Sequence, residues 1–335
     1  MIDNTDKKMI QDWAAPKNIG ISIPGSDHPT QESFINFAKE WAKISPGVKW
    51  QPSEQRAGLP DGLPDGLPTG LPGFRLRENI TYSALPMSRE LPPFLKSLSL
   101  LGEPAPKLTE EISALVDRMD LPCELTLYIA LECPHCPGMV ETLFPLAVAS
   151  DKIHLHIIDG SLFPEKAAQD QVMSAPCLIL DQDFRWTGAV NEIEILSMIL
   201  DRDPARLSPS TLKNILEQGD ADWITNEMIK AGAIFDGFIQ LLIHRMWSVR
   251  LGAMVVVETL GEKAPDLGLE MAPLLVALFH DQEIPVQGDI LYALGEIGNL
   301  ETKAWIRECI KTLEHADLTD AAEDALEAID SRFGS

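Results

Sequence analysis

Cys133-Pro134-His135-Cys136 sets two thiols at a two-residue spacing, directly after the apolar run Leu125 to Leu131 and ahead of a stretch carrying Met139, Val140 and Leu143. With a strand before the motif and a helix opening at it, the first thiol stands exposed at a helix N-terminus. The second lies one turn on, within disulfide reach and more buried. Free N–H groups and the helix dipole favour a thiolate at that end, which makes Cys133 the nucleophile. Cys136 is then placed to resolve the mixed disulfide that Cys133 forms with a substrate. His135 adds a further donor near the first sulfur. The competing chemistry is half of a zinc site. A structural zinc would want a second pair at similar spacing, whereas Cys123, Cys177 and Cys309 stand singly, and His154 and His156 share one face of a strand without a partner pair.

These residues need a scaffold, and 335 residues are enough for two or three domains with cores of their own. Lys and Arg number 27 against 51 Asp and Glu, a net charge of -24, so nucleic acid is not an expected partner. No apolar run approaches the roughly 20 residues that span a bilayer, and Met1 to Trp13 has neither a basic n-region nor an apolar h-region. The expectation is a soluble, cytoplasmic protein without a membrane partner. Five cysteines do not make a paired extracellular framework, so the Cys-x-x-Cys reads as redox or metal chemistry.

Ile19, Ile21 and Ile23 alternate as a strand, and Phe34, Phe37, Ala38, Trp41 and Ile44 follow at helical spacing with Ser26 or Thr30 as cap, so a strand–helix unit is expected to open the protein. Residues 58–73 repeat Gly-Leu-Pro-Asp with variation, an inserted surface loop to which no chemistry is assigned. Strand patterns at 74–76 and 80–83 and a helix at Leu91 to Leu101 complete a first region, 1–102, that contains no cysteine. From 103 to 203 come a connecting helix at Glu110 to Met119, the strand and helix around the cysteines, with Pro145 expected to kink or end that helix, a strand at Ile153 to Ile158, a helix after Pro164, a strand at Cys177 to Leu180 and a helix at Glu192 to Leu200. The order β-α-β-α-β-β-α is thioredoxin-like. From 204 to 335 helices follow one another. His244 with Leu260-Gly261-Glu262 recurs as His280 with Leu294-Gly295-Glu296, then more loosely as His315 with Leu326-Glu327. A recurrence of about 35 residues built from helix pairs predicts a HEAT-like solenoid with the histidines in turns on successive rungs.

The segments 125–140, Ile158-Asp-Gly-Ser-Leu-Phe163 and Val172-Met-Ser-Ala-Pro176 resemble the N-terminal domain of the alkyl hydroperoxide reductase flavoprotein subunit, and also archaeal protein disulfide oxidoreductases. Both families fuse two thioredoxin-like folds, and in the flavoprotein the first lacks cysteines. The resemblance covers about the first 200 residues and implies the α/β tandem fold. It also implies a cis peptide bond at Pro176, in a loop lying against the cysteine turn. Cys177 beside it is either a third redox thiol or a small core side chain. Ala84-Leu-Pro-Met-Ser-Arg-Glu90 resembles the family's Gly-His-Glu segment, which makes Glu90 a candidate proton-transfer group; an ordinary helix N-terminal glutamate is the alternative.

No Gly-x-Gly-x-x-Gly follows a strand beyond Leu200 and no second Cys-x-x-Cys is present, so no bound cofactor is expected beyond the redox-active Cys133–Cys136 pair. Electrons would then come from a separate flavoprotein reductase and pass to a disulfide-bearing protein, by the resemblance a peroxiredoxin, with the helical repeats docking partners. Two other functions stay open: a disulfide oxidase or isomerase, since Pro-His resembles the dipeptide of the oxidising DsbA family, and a scaffold or assembly factor whose Cys-x-x-Cys senses redox state or holds metal.

Overall fold

The computed structural model describes residues 2–13, 19–52, 67, 69–102, 106–182 and 184–333. They fall into two compact units, 1–201 and 202–335.

The first unit opens with a helix, α1 (Asn4–Asp12), rather than with the expected strand. Asp3 caps it by accepting the Asp6 N–H, and Ile2 and Ile10 bury against the core. After it come β1 (Ile19–Ile23), α2 (Gln31–Ile44), β2 (Val48–Pro52), β3 (Phe74–Arg77), β4 (Ile80–Ser83), a 3-10 turn at Ser88–Glu90 and α3 (Leu91–Leu101). α4 (Glu110–Asp117) leads into β5 (Cys123–Ile129), α5 (Cys136–Ala149), β6 (Ile153–Asp159), α6 (Pro164–Gln169), β7 (Cys177–Leu180), β8 (Phe184–Thr187) and α7 (Glu192–Leu200). Thr30 precedes α2 without capping it. Its hydroxyl meets His28 Nδ1 at 2.8 Å, and Ser26 Oγ accepts the His28 N–H instead of reaching the helix. Pro145 sits inside α5 and does not end it.

All eight strands form one sheet in the order β2-β1-β3-β4-β6-β5-β7-β8. In β1–β4 the first strand lies between the second, parallel, and the third, antiparallel, and the fourth pairs antiparallel with the third. β5–β8 repeat that arrangement strand for strand. The halves join where β4 runs parallel to β6, Ile80 opposite Leu155 and Ser83 opposite Ile158. The regions 1–102 and 103–203 therefore share one sheet and one continuous core. β4 is buried along its whole length, as befits a strand covered on both faces, while the edge strand β8 is nowhere fully buried.

Within the expected loop at 58–73, positions 58–66 and 68 lie outside the described residues. The end of the repeat is not a solvated loop: Leu67 and Leu71 are buried. Gly73 passes so close to β4 that an added Cβ would stand 2.7 Å from the Tyr82 carbonyl oxygen.

The second unit is helical: α8 (Pro209–Glu217), α9 (Ala221–Ala231), α10 (Ile239–Leu242), α11 (Trp247–Lys263), α12 (Pro265–Leu269), α13 (Ala272–Leu278), α14 (Ile284–Ile297), α15 (Leu300–Ile310) and α16 (Ala316–Phe333). α11 packs on α14 and α14 on α16. The recurrent glycines sit at those crossings. A Cβ on Gly261 would lie 2.8 Å from the Glu296 carbonyl oxygen, and one on Gly295 would lie 3.0 Å from Ala325 Cα. Each glycine thus lets the next long helix approach closely. The third copy, Leu326-Glu327, has no glycine, and no described helix follows it. His244, His280 and His315 all stand in the turns ahead of α11, α14 and α16. No described helix is long and apolar enough to cross a membrane.

Candidate active site

β5 ends at Ile129, and a turn closed by the Cys133 N–H on the Ala130 carbonyl delivers the first cysteine ahead of α5. Cys136 is the first residue of that helix, and its N–H donates to Cys133 Sγ at 3.2 Å. A helix-end donor aimed at the sulfur stabilises negative charge on it. Cys133 is partly exposed and Cys136 fully buried, both as free thiols. Burial, followed by the Cys133 hydrogen bond, pushes the Cys136 thiol well above its ordinary range, and the nearby Glu90 charge adds to this. The two sulfurs are thus unequal: one is exposed and supported as an anion, the other is held protonated.

Ala175–Pro176 is cis, and the Cys133 thiol donates to the Ala175 carbonyl at 3.5 Å. The loop implied by the resemblance therefore lies against the cysteine turn. Cys177 is the first residue of β7, paired with Tyr128, buried, its thiol raised by that burial. His135 is exposed, and its side chain makes no capping bond to α5. The structure thus brings Cys133, Cys136 and Pro176 together and leaves His135 on the outer surface.

Glu90 enters from the other half of the sheet. It ends the 3-10 turn between β4 and α3, and α5 packs on both that turn and α3. Its carboxyl is completely buried. Tyr82 O–H donates to Oε2 at 3.4 Å, while Oε1 meets no protein donor. Burial foremost pushes its pKa up to about 7; Tyr82 opposes the shift and the Asp159 charge adds to it. An ordinary helix-start glutamate would be solvated, and this one is not.

Two residues near Glu90 carry no assignment from the sequence. Asp159 closes β6, is buried, accepts the Ser161 N–H at 2.8 Å, and is raised by burial against the lowering effect of the Ser161 and Leu162 N–H groups. Its signal was a carboxylate ending an apolar strand directly before a glycine. Asp6 of α1, also buried, accepts the Ser88 N–H at 3.0 Å, and Ser88 holds the left-handed φ of 53° that starts the turn bearing Glu90. Nothing local in the sequence connects those two residues.

His156 is buried and spent on structure. Its Nδ1 lies 2.8 Å from Thr81 Oγ1, and burial lowers its pKa to about 3. Among the described residues no three His, Cys, Asp or Glu side chains gather where they could hold a metal ion.

The family model described as "Thioredoxin domain" matches residues 124–201, the segment from β5 through α7. That segment is a thioredoxin-like domain. It is related to the N-terminal domain of the alkyl hydroperoxide reductase AhpF and to archaeal protein disulfide oxidoreductase. AhpF of Pseudomonas aeruginosa is 27% identical over 144 residues, 42% of this chain and 28% of that protein. AhpF of Xanthomonas campestris pv. phaseoli is 24% identical over 145 residues, 42% of this chain and 27% of that protein. The chain thus spans little more than a quarter of the length of these curated relatives. Among solved structures, a protein disulfide oxidoreductase from Aeropyrum pernix shares the fold at TM-score 0.50 and 14% identity, covering 62% of this chain and 95% of that one. The thioredoxin-like domain therefore contains both cysteines, Asp159 and Pro176, while Glu90 and Tyr82 lie outside it, in the half that the family model does not match.

Proposed function

We propose that the chain is a thiol-disulfide oxidoreductase that reduces a protein disulfide through Cys133 and Cys136. The supporting observation is the asymmetry of the pair: a partly exposed sulfur receiving a helix-end N–H at 3.2 Å, ahead of a buried, protonated thiol. Cys133 thiolate attacks one substrate sulfur. The Cys133–substrate bond forms as the substrate disulfide breaks, and one substrate thiolate leaves. Cys136 then gives up its proton and attacks Cys133 Sγ. The Cys133–Cys136 disulfide forms, the mixed disulfide breaks, and the second substrate thiolate departs. Two electrons pass from the dithiol to the substrate disulfide. Glu90, with a pKa near 7 beside Cys136, is the group that accepts and returns the Cys136 proton. Pro176 and the Ala175 carbonyl shape the surface on which the substrate strand lies.

In this reading β1–β4 and β5–β8 are tandem thioredoxin-like folds, supported by their identical strand order, and the first is the redox-silent member. The second unit is a HEAT-like solenoid that docks partners. A separate flavoprotein reductase returns the pair to the dithiol, and a peroxiredoxin is the proposed substrate, an assignment that rests on the named relatives alone. The five unpaired cysteines fit a reducing cytoplasm.

The deciding test is reduction of insulin disulfides by the purified chain. The proposal requires turnover that vanishes in Cys133→Ser; an inactive wild-type chain would favour the scaffold reading. The oxidase direction has Pro134-His135 in its favour, and a measured reduction potential above the cytosolic glutathione poise would select it.

A further inference from the structure

The exposed apolar residues of α11 and α14 form a pattern. On α11, Trp247, Leu251 and Val255 are 61%, 43% and 42% exposed at positions i, i+4 and i+8, one continuous helical stripe. On α14, Ile284 and Tyr292, each 44% exposed, stand at i and i+8, and between them at i+4 is Gly288, whose absent Cβ would meet nothing within 4 Å. The two helices are packed side by side and tied by Arg250 to Asp289 at 2.5 Å. Tyr292 O–H donates to Glu258 Oε1 at 2.7 Å, and Glu258 continues the α11 stripe, three residues past Val255. That bond places both stripes on one surface, with Gly288 as an open notch.

Such a face runs against the pattern of a solvated helix. A helix at the surface of a unit turns polar side chains outward, and each large apolar side chain left in water forgoes about 1.5–3 kcal/mol of burial. Single exposed apolar residues need no explanation; an aligned double row marks an interaction site.

Its surroundings choose the occupant. Glu262 and Glu296 extend the two stripes at their C-terminal ends, and α16, packed on α14, exposes Asp320, Glu323, Asp324 and Glu327. Residues 202–335 carry 23 Asp and Glu against 11 Lys and Arg. An anionic lipid surface or a nucleic acid would be repelled, and a second copy would bring the same acidic rim. Both walls are helices whose backbone groups are already paired, so no free edge exists to which a strand could add. What fits is a helix laid in the groove, apolar along one face and basic at its margins.

We propose that the α11–α14 face is a docking groove for an amphipathic, Lys/Arg-rimmed helix of a partner protein. The proposal specifies the docking part of the function given above, and its test reads binding rather than redox turnover, so either can fail without the other. The probe is a fluorescently labelled 14-residue peptide of Leu and Lys patterned as an amphipathic helix, titrated by anisotropy against the full chain. A scrambled peptide of equal composition and a Leu/Glu peptide of the same pattern serve as comparisons. The patterned Leu/Lys peptide should bind at least about tenfold tighter than the scrambled one and weaken as salt rises. The double substitution Leu251→Ser, Val255→Ser should erase that tenfold preference. Gly288→Arg, which adds bulk and charge at an open position in a helix, should erase it as well without a loss of helical circular dichroism. Insulin reduction should stay at the wild-type rate in both variants. Equal affinity for patterned and scrambled peptides, equal affinity for the Leu/Glu peptide, an unaffected preference in the two variants, or a dimer that occupies the groove would each overturn the proposal.

Discussion

The two halves of the eight-stranded sheet repeat one strand order but divide the work. The half built on β5–β8 carries both thiols of the Cys-x-x-Cys over a largely aliphatic interior, with Leu125, Leu127, Val140, Leu143, Leu155 and Ile157 all fully buried. The half built on β1–β4 has no cysteine. Its interior is aromatic: Trp41 is within 6 Å of Phe37, Trp50 and Phe94, centroid to centroid, at 5.6, 5.8 and 5.9 Å. What that half contributes to the site is the buried acid, Glu90, together with its phenol donor, Tyr82. A repeated fold can therefore lose its own chemistry and still furnish a group that its neighbour's chemistry uses.

If the division holds, the largest effect falls in the cysteine-bearing half. Cys133→Ser should reduce disulfide turnover to background, whereas Cys136→Ser should keep the first attack and accumulate mixed disulfides, scored by trapping and mass spectrometry. Faster iodoacetamide labelling of Cys136 than of Cys133 in the reduced chain would reverse the assignment.

The cysteine-free half is probed next. Glu90→Gln should slow turnover on the order of 10²-fold, as expected when a general acid–base group is lost, and most visibly above pH 7. Stability carries a second signature. A carboxyl that rises from about 4.5 to about 7 on folding binds its proton more tightly in the folded chain. It thereby contributes stability that is complete below about pH 4.5 and is lost as pH rises through 7. At about 1.4 kcal/mol per tenfold change, that loss is roughly 3 kcal/mol. Glu90→Gln should remove it, so its urea-unfolding stability should fall less than the wild type's between pH 5 and pH 8. Parallel pH profiles would mean that Glu90 is solvated and that the silent half supplies no acid.

How far such a site can be read from sequence depends on how local its parts are. Ile19, Ile21 and Ile23 announce β1 within five residues, and the Cys-x-x-Cys announces the nucleophile and resolver within four. Glu90 is legible only through its resemblance to a family segment, and Asp159 and Tyr82 have no local signature as partners. Their meeting depends on β4 pairing with β6, a contact between residues 75 apart such as Thr81 and His156. Helix α1 is hidden for a different reason: its one buried stripe, Ile2, Asp6 and Ile10, includes a carboxylate whose partner is the Ser88 N–H. The Gly-Leu-Pro repeat misleads in the opposite sense, since its composition describes a loop while Leu67 and Leu71 are core residues.

That last point yields a smaller effect. Leu67→Ala should cost about 2–3 kcal/mol of unfolding free energy as a buried large-to-small change. Removing residues 58–66 alone should cost well under about 1 kcal/mol, the scale of a modest change in loop length. Chemical denaturation of the two variants separates them, and equal costs would show that the repeat packs throughout. Smallest of all, a chain ending at Asp201, the limit of the first compact unit, should reduce insulin at the full rate. A loss beyond about twofold would tie the chemistry to the helical unit.

The parallel seam between β4 and β6 also bears on how the protein withstands damage. Two separate four-stranded sheets would present four edges, each a template for unwanted pairing; joined where Ile80–Ser83 runs beside Leu155–Ile158, they present only β2 and β8. A protease cut between residues 102 and 106 would sever the chain without parting the sheet, because the seam and the common core would still hold both fragments. The nicked protein should migrate as one species until denatured, with Glu90 on one fragment and the Cys133–Cys136 pair on the other.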